Sequence, residues 1–340
     1  MAADKAFYDP GTDAWYWADA DGSIATGKDV FIPVSNTDRS QGKWVRFDES
    51  SRMVKGEDYR YGGWYYFDQT TGEMAKGFRF VDSNGGKWVC YDRVTGQMYH
   101  GQANDSGHWY LFDENTGATQ YGFQYIASDN KWVFYDRTMG WMLYGEQAID
   151  GSWYYLDENT GAVAYGWKTL PAGKTVYYDT TTGIMKYGAQ SIDGRWYWFD
   201  QYTGALDRQG AINKIISTAQ SLLGVPYVWL GVYPQDGGMD CASFTWYLYK
   251  QLGIDIGFET YDQMYSGYSI ASLSDAKPGD LVLMYDNSWP NYDPNKFEHV
   301  VLYAGDGMIY EEPTFGGQCQ YVSIYSKGMG NISIRRIIAD

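Results

Sequence analysis

Histidine and cysteine are scarce in this chain: 340 residues hold three of each. Cys90, Cys241 and Cys319 are too few for a disulfide framework. His100, His108 and His299 are too scattered to join them at any metal-ligand spacing, so no metal and no cofactor is expected. Basic charge is also short. The 26 Lys and Arg are outnumbered by 42 Asp and Glu, for a net charge of −16. Phosphate backbones need a basic surface, so nucleic acid is excluded as a partner. No apolar run approaches the roughly 20 residues of a spanning helix, and no membrane insertion is expected. The opening MAADKAFYDPG carries neither the basic nor the apolar segment of a secretory signal. Either a signal was removed and Met1 added, or the chain leaves its cell without one.

Aromatic residues are abundant instead, at 19% of the chain with 34 Tyr and 15 Trp, which excludes disorder. They recur in near-copies. GGWYYFDQTTGEMAKGF (62–78), GHWYLFDENTGATQYGF (107–123) and GSWYYLDENTGAVAYGW (151–167) alternate with GKWVCYDRVTGQMYHGQ (86–102), KWVFYDRTMGWMLYGEQ (131–147) and GKTVYYDTTTGIMKYGA (173–189). A last copy is GRWYWFDQYTGALD (194–207), and weaker ones are DAWYWADADGSIATGK (13–28) and KWVRFDESSRMVKGE (43–57). That makes about nine units. Each reads as a β-hairpin: a strand such as Trp153–Leu156, a turn over Asp157–Gly161, and a short second strand closed by Gly166. One hairpin is marginal in water, whereas a stack can bury aromatic faces between neighbours. The residue after the closing Gly is aromatic only in alternate units, Phe78, Phe123 and Trp167 against Gln102, Glu146 and Ala189. A pure core position would not alternate; a site formed once per pair of hairpins would. Cys90 replaces a bulky face residue (Phe134, Tyr177 in sister units) and reads as structural.

Over residues 8–207 these units resemble the cell-wall-binding repeats of choline-binding proteins and their glucan-binding and toxin relatives. The resemblance implies cages in which aromatic rings of adjacent hairpins hold a quaternary ammonium by cation–π attraction. The cage candidates are Trp64, Phe78, Trp109, Phe123, Trp153, Trp167 and Trp196. Alternate units lack the closing aromatic and carry Val89 or Val133 for the first Tyr. Fewer cages are therefore expected, and the wall ligand stays open between teichoic-acid choline and a glycan stacking on rings.

The repeats stop near residue 208. AINKIISTAQSLLG (211–224) and CASFTWYLYKQLG (241–253) have helical spacing and end at glycine. AKPGDLVLMYD (276–286) reads as a turn and buried strand, with Asp280 a turn or strand-start residue. EHVVLYAGDGMIYEEP (298–313) reads as a hairpin around Asp306-Gly307, and QYVSIYS and ISIRRIIA as further strands. The fold class expected is therefore an all-β hairpin solenoid, residues 1–207, followed by an α+β domain, residues 208–340.

Cys241 opens a helix, where unpaired N–H groups and the dipole favour a thiolate. His299 opens the strand HVVLY and is the one histidine of this domain, so it is the candidate general base and acid. Cys319 follows Gly316-Gly317 and reads as a half-buried loop or edge residue, and nothing in the sequence supports a bond to Cys90.

VPYVWLG (225–231), DCASF (240–244), KPGDLVLM (277–284) and HVVLYAGDGMIYE (299–311) resemble the NlpC family of papain-like cell-wall cysteine peptidases over residues 209–335. The resemblance implies Cys241 as nucleophile, His299 as base and acid, Glu311 as third polar residue and Tyr227 beside the thiolate. It departs from the family in Ala242-Ser243 after the cysteine, in a longer loop from Tyr227, and in a carboxylate at the third position. A three-residue loop 305–307 pairs Val301 with Glu311 and selects Glu311; a two-residue loop selects Glu312.

The expectation is a secreted, wall-associated enzyme of a Gram-positive bacterium. It would cleave the peptidoglycan stem peptide, between D-γ-glutamyl and the diamino acid or, alternatively, between muramic acid and L-alanine. A phage lysin and a non-catalytic adhesion protein are the rival readings.

Overall fold

The computed structural model describes residues 4–35, 40–285, 297–327 and 331–340. Residue 286, the end of one expected strand, lies outside them. The chain packs as two compact units, Met1–Gln147 with Tyr155–Val163, and Ala148–Tyr154 with Ala164–Asp340.

Nine two-stranded antiparallel hairpins precede the first α-helix among the described residues. Their phase differs from the sequence reading. Some hairpins close over longer loops, as from Thr169 to Thr175, and others pair across two-residue turns: Arg60 faces Gly63 around Tyr61-Gly62, and Ile192 faces Arg195 around Asp193-Gly194. Both turn residues have positive φ (54° and 78°; 49° and 74°), the mirror-image turn that matches strand twist. Asp157–Gly161 is instead a connecting loop. The Asp157 carboxylate accepts the N–H groups of Asn159 and Thr160 and closes one isolated bridge, Leu156 to Val163. Gly166 accordingly begins a strand, Gly166–Thr169, rather than ending one.

Successive hairpins of the first unit are tied by one recurring backbone bond. Met74 N–H donates to Trp44 C=O, Met98 to Trp64, and Met142 to Trp109, at 2.7–2.8 Å. The methionines also pack inward, beside fully buried Phe67, Tyr91 and Tyr135. Each hairpin thus covers the edge and apolar face that its neighbour cannot bury alone.

In the second unit the last hairpins are continuous with the α+β fold. Trp198 lies in one core with Ile212, Ile215, Phe244 and Leu248, and Ala339 N–H donates to Trp196 C=O at 2.8 Å. Helix α1, Arg208–Ser221, starts on an Asp207 cap, and α2 is Cys241–Lys250. Six strands follow: β1 Tyr268–Ile270, β2 Leu281–Met284, β3 His299–Gly305, β4 Met308–Glu311, β5 Gln320–Ser323 and β6 Ile332–Arg336. They form one antiparallel sheet in the order β1-β6-β2-β3-β4-β5. Helix α2 packs on β3 through Phe244, Leu248, Val300 and Leu302, each 0% exposed. Burial of this kind stabilises by roughly 1.5–3 kcal/mol per side chain. Asp280 does more than turn the chain: fully buried, it takes a two-pronged ion pair from Arg336 at 2.9 and 2.8 Å.

Candidate active site

Asp240 starts the site. Its carboxylate accepts the N–H groups of Ala242 and Ser243, and Ser243 Oγ returns a bond from Asp240 N–H, a reciprocal cap. Cys241 therefore occupies the first turn of α2, in the positive end of its dipole, and its own N–H is not among those the cap takes. Tyr227 reaches the same place by backbone pairing, since Val228 N–H donates to Met239 C=O at 3.0 Å, two residues before Cys241.

His299 arrives from the sheet. It pairs with Met284 at the start of β3, the strand on which α2 packs. One ring nitrogen, Nε2, lies 2.8 Å from Glu311 Oε2; the Cys241 thiol, whose Sγ is 4.0 Å from Glu298 C=O, is near enough to the ring to raise its pKa. Burial alone would lower the imidazole pKa, but the thiol and Glu311 carboxylate outweigh it and raise it to about 9. Glu311 is fully buried, with its other oxygen held by Gln320 Nε2 at 2.7 Å and by Lys327 Nζ. Burial opposes its charge, yet His299 and Lys327 hold its carboxyl below the usual range. A thiol, an imidazole and a carboxylate thus lie together, the last two hydrogen-bonded, an arrangement suited to nucleophilic attack and proton return.

The loop that sets this register is shorter than the three residues expected. Asp306-Gly307 forms a two-residue turn with φ of 52° and 72°. A bulge between Tyr303 and Gly305 shifts the register by one, so Leu302 faces Tyr310, the step next to Val301 and Glu311. Glu312 takes the opposite side. Fully buried, it senses Asp240, and neither oxygen has a hydrogen-bond partner among the described residues.

Burial pushes Cys90 and Cys319 up to about 12. Cys90 packs with Tyr110 and Phe112. Cys319 is not half-buried as expected but belongs to the main core, because its N–H is tied to Val225 C=O at 2.8 Å. All three cysteines are free.

The cage candidates divide into kinds. Trp64, Trp109 and Trp153 are half-exposed. Phe78 packs against Tyr110 and Phe112, and Phe123 against Phe134. Trp167 keeps an exposed edge but contacts Tyr177, Tyr197 and Phe199. Trp196 packs on the α+β core through Ile338. Trp15, Trp44, Trp88 and Trp132 went unselected, yet they match the first group in exposure and stand opposite Tyr8, Phe31, Phe80 and Tyr125. Their signal is the strand Trp present in eight of the nine units, with Thr175 in its place in the other. Gln320 and Lys327 also went unnoticed, and only register and fold reveal them.

Residues 224–336 match the NlpC/P60 family model, and residues 34–78 and 121–166 match a choline-binding repeat. A gamma-D-glutamyl-L-lysine dipeptidyl-peptidase of Bacillus subtilis is 30% identical over 39% of this chain and 43% of its own. A peptidoglycan endopeptidase, RipA, of Mycolicibacterium smegmatis is 29% identical over 35% of this chain and 24% of its own. The chain spans less than half the length of these curated relatives. The structure of CbpJ from Streptococcus pneumoniae is 27% identical, covering 57% of this chain and 70% of that one at a TM-score of 0.47. The chain therefore carries choline-binding repeats followed by a domain of the NlpC/P60 family of cysteine peptidases.

Proposed function

We propose that the chain is a wall-targeted peptidoglycan hydrolase that cuts the stem peptide between D-γ-glutamyl and the diamino acid. The observation that carries this reading is the His299 ring, held at 2.8 Å by Glu311 with its pKa raised by the Cys241 thiol beside it. The Cys241 thiolate attacks the scissile carbonyl while His299 is imidazolium. The carbonyl oxygen becomes an oxyanion, and the N–H of Cys241 at the helix N-terminus is oriented to receive it. The C–N bond then breaks as His299 gives its proton to the leaving amine. A water molecule, losing a proton to His299, attacks the thioester and releases the acid and the free thiolate. Glu311 holds the ring and balances its positive charge. The matched family and the relatives named as acting on γ-D-glutamyl bonds support the choice of bond.

The repeats hold the enzyme at wall polymer, through choline or glycan, so that several weak contacts raise the local concentration of the catalytic domain. The test is digestion of purified peptidoglycan by the full chain and by Cys241→Ala, with mass spectrometry of the fragments. New γ-D-glutamyl C-termini from the wild type alone are expected. Identical fragments from both proteins, or none from either, would end the hydrolase reading, and muramic acid–L-alanine cleavage would move the bond.

A further inference from the structure

Glu311 sits two residues after Ile309 on β4 and so shares its face of the sheet. On that face Val301, Ile309 and Ile324 build a core distinct from the one that holds α2. Ile324, fully buried there, opens a 3₁₀ turn, Ile324–Ser326. Lys327 follows the turn and gives its N–H to Ile324 C=O at 3.1 Å. The turn thereby brings the Lys327 ammonium onto Glu311 Oε1, the oxygen that Gln320 Nε2 also reaches, while His299 holds Oε2. Glu311 is 0% exposed and the Lys327 side chain 27%. A lysine that leaves water to meet a buried carboxylate gives up hydration and rotamer freedom. Gln320 already satisfies that oxygen, so a hydrogen bond alone does not account for the ammonium.

A carboxylate at this position works against the second half of a two-step reaction. Burial lowers the proton affinity of the His299 ring, and Cys241 and then Glu311 raise it. In the acyl-enzyme the sulfur is bonded to carbon, and its negative charge is gone. An unbalanced Glu311 would then keep the ring protonated at neutral pH, and an imidazolium cannot take a proton from water. Glu312 and Cys319 also feel the Glu311 charge, and neither can become positive. Lys327 supplies the balancing charge.

We propose that Lys327 is a positioning residue of the reaction: its ammonium balances Glu311, so that His299 sheds its proton in the acyl-enzyme and accepts one from the attacking water. This rests on the hydrolase reading and deepens it. Water adds to the thioester carbonyl as its proton passes to the ring nitrogen that Glu311 does not take. The C–S bond then breaks, the acid product leaves, and the Cys241 thiolate stands again beside an imidazolium.

The test follows the full chain on a soluble muropeptide. Lys327→Met keeps the stem, Lys327→Gln keeps a hydrogen-bond donor, and Lys327→Arg keeps the charge. In the two uncharged variants, mass spectrometry of the intact protein, quenched during turnover at neutral pH, should show a thioester that the wild type does not accumulate. Their kcat should fall about tenfold at neutral pH, as a tenfold scarcer neutral ring requires, and recover as pH rises. The alkaline limb of kcat/KM should move up, because the ring of the free enzyme is also held more strongly. Lys327→Arg should show neither change. A merely structural role would lower activity alike at every pH, with no thioester and no moved limb. That result, or an equal thioester in Lys327→Arg, overturns the proposal. Wild-type turnover with the uncharged variants unaltered also overturns it, whereas a wild type that releases no fragments refutes the hydrolase reading itself.

Discussion

Glu311 and Glu312 are consecutive and equally buried, yet Glu311 is bound by His299, Gln320 and Lys327 while both oxygens of Glu312 lack a partner among the described residues. Burial, with the charges of Asp240 and Glu311 adding to it, raises the Glu312 carboxyl from 4.5 to about 8. Tyr227 and Cys319 sense the same carboxyl. Near neutral pH it is protonated in the fold and ionised in the unfolded chain. Its neutral form thus supports the fold fully below about 4.5, and that support is lost as pH rises through 8. Glu312→Gln removes the ionisation. The variant should match the wild type near pH 4 and exceed it at pH 7 by on the order of 3 kcal/mol. Urea unfolding at several pH values measures this; a difference that does not grow with pH would refute it.

The His299 ring has the opposite chemistry. Its pKa is raised from 6.5 to about 9, against burial, by Cys241 and Glu311. The stabilisation of the imidazolium is complete below 6.5 and is lost as pH rises through about 9. Activity on a soluble muropeptide should accordingly fall on an alkaline limb near 9. Glu311→Gln keeps the shape but removes the negative charge. It should move that limb to lower pH and reduce kcat by about a hundredfold. An unmoved limb would show that Glu311 does not set the proton affinity of the ring.

Much of this was legible in the chain. Repeated Asp and Gly positions mark the repeat and its loops, and Asp240 before Cys241 is a helix cap readable as a helix start. The phase of the hairpins was not legible, because Asp-x-x-x-Gly and Asp-Gly are both turn chemistry. Only pairing decides which one joins two strands. The bulge before Asp306 was hidden for the same reason: Ala304 carries no signal that one residue drops from the ladder. Lys327 lies sixteen residues beyond Glu311 and meets it through the sheet.

Asp280 and Arg336 measure how firmly the sheet is held. The carboxylate is fully buried, and Arg336 is nearly so. It also takes the N–H of Lys277 at 2.8 Å, fixing the turn into β2. Removing the Asp280 charge leaves the buried Arg336 guanidinium with the half-exposed Asp340 at 3.3 Å as its carboxylate partner and takes a partner from Arg208. Asp280→Asn should destabilise the second unit by about 3–5 kcal/mol. Calorimetry with tryptophan fluorescence would detect it as an early transition, and an unchanged melting profile would contradict the estimate.

The strand tryptophans of the first unit permit a separate test of wall attachment. Trp44, Trp64, Trp88 and Trp109 are 45%, 40%, 50% and 44% exposed, and the carbonyl of each accepts a backbone bond from the next unit. Their backbone is fixed by the stack while one side of each ring stays open, so truncation should remove ligand contact without unfolding the hairpins. Contacts of this kind are weak singly and multiply when linked. One Trp→Ala change should lower retention on purified walls about twofold, and all four together more than tenfold. Cleavage of a soluble muropeptide should be unchanged in each variant. If the fourfold variant keeps its wall retention with its far-ultraviolet spectrum intact, attachment lies elsewhere. If it loses retention and soluble activity together, attachment and catalysis are not separable as argued.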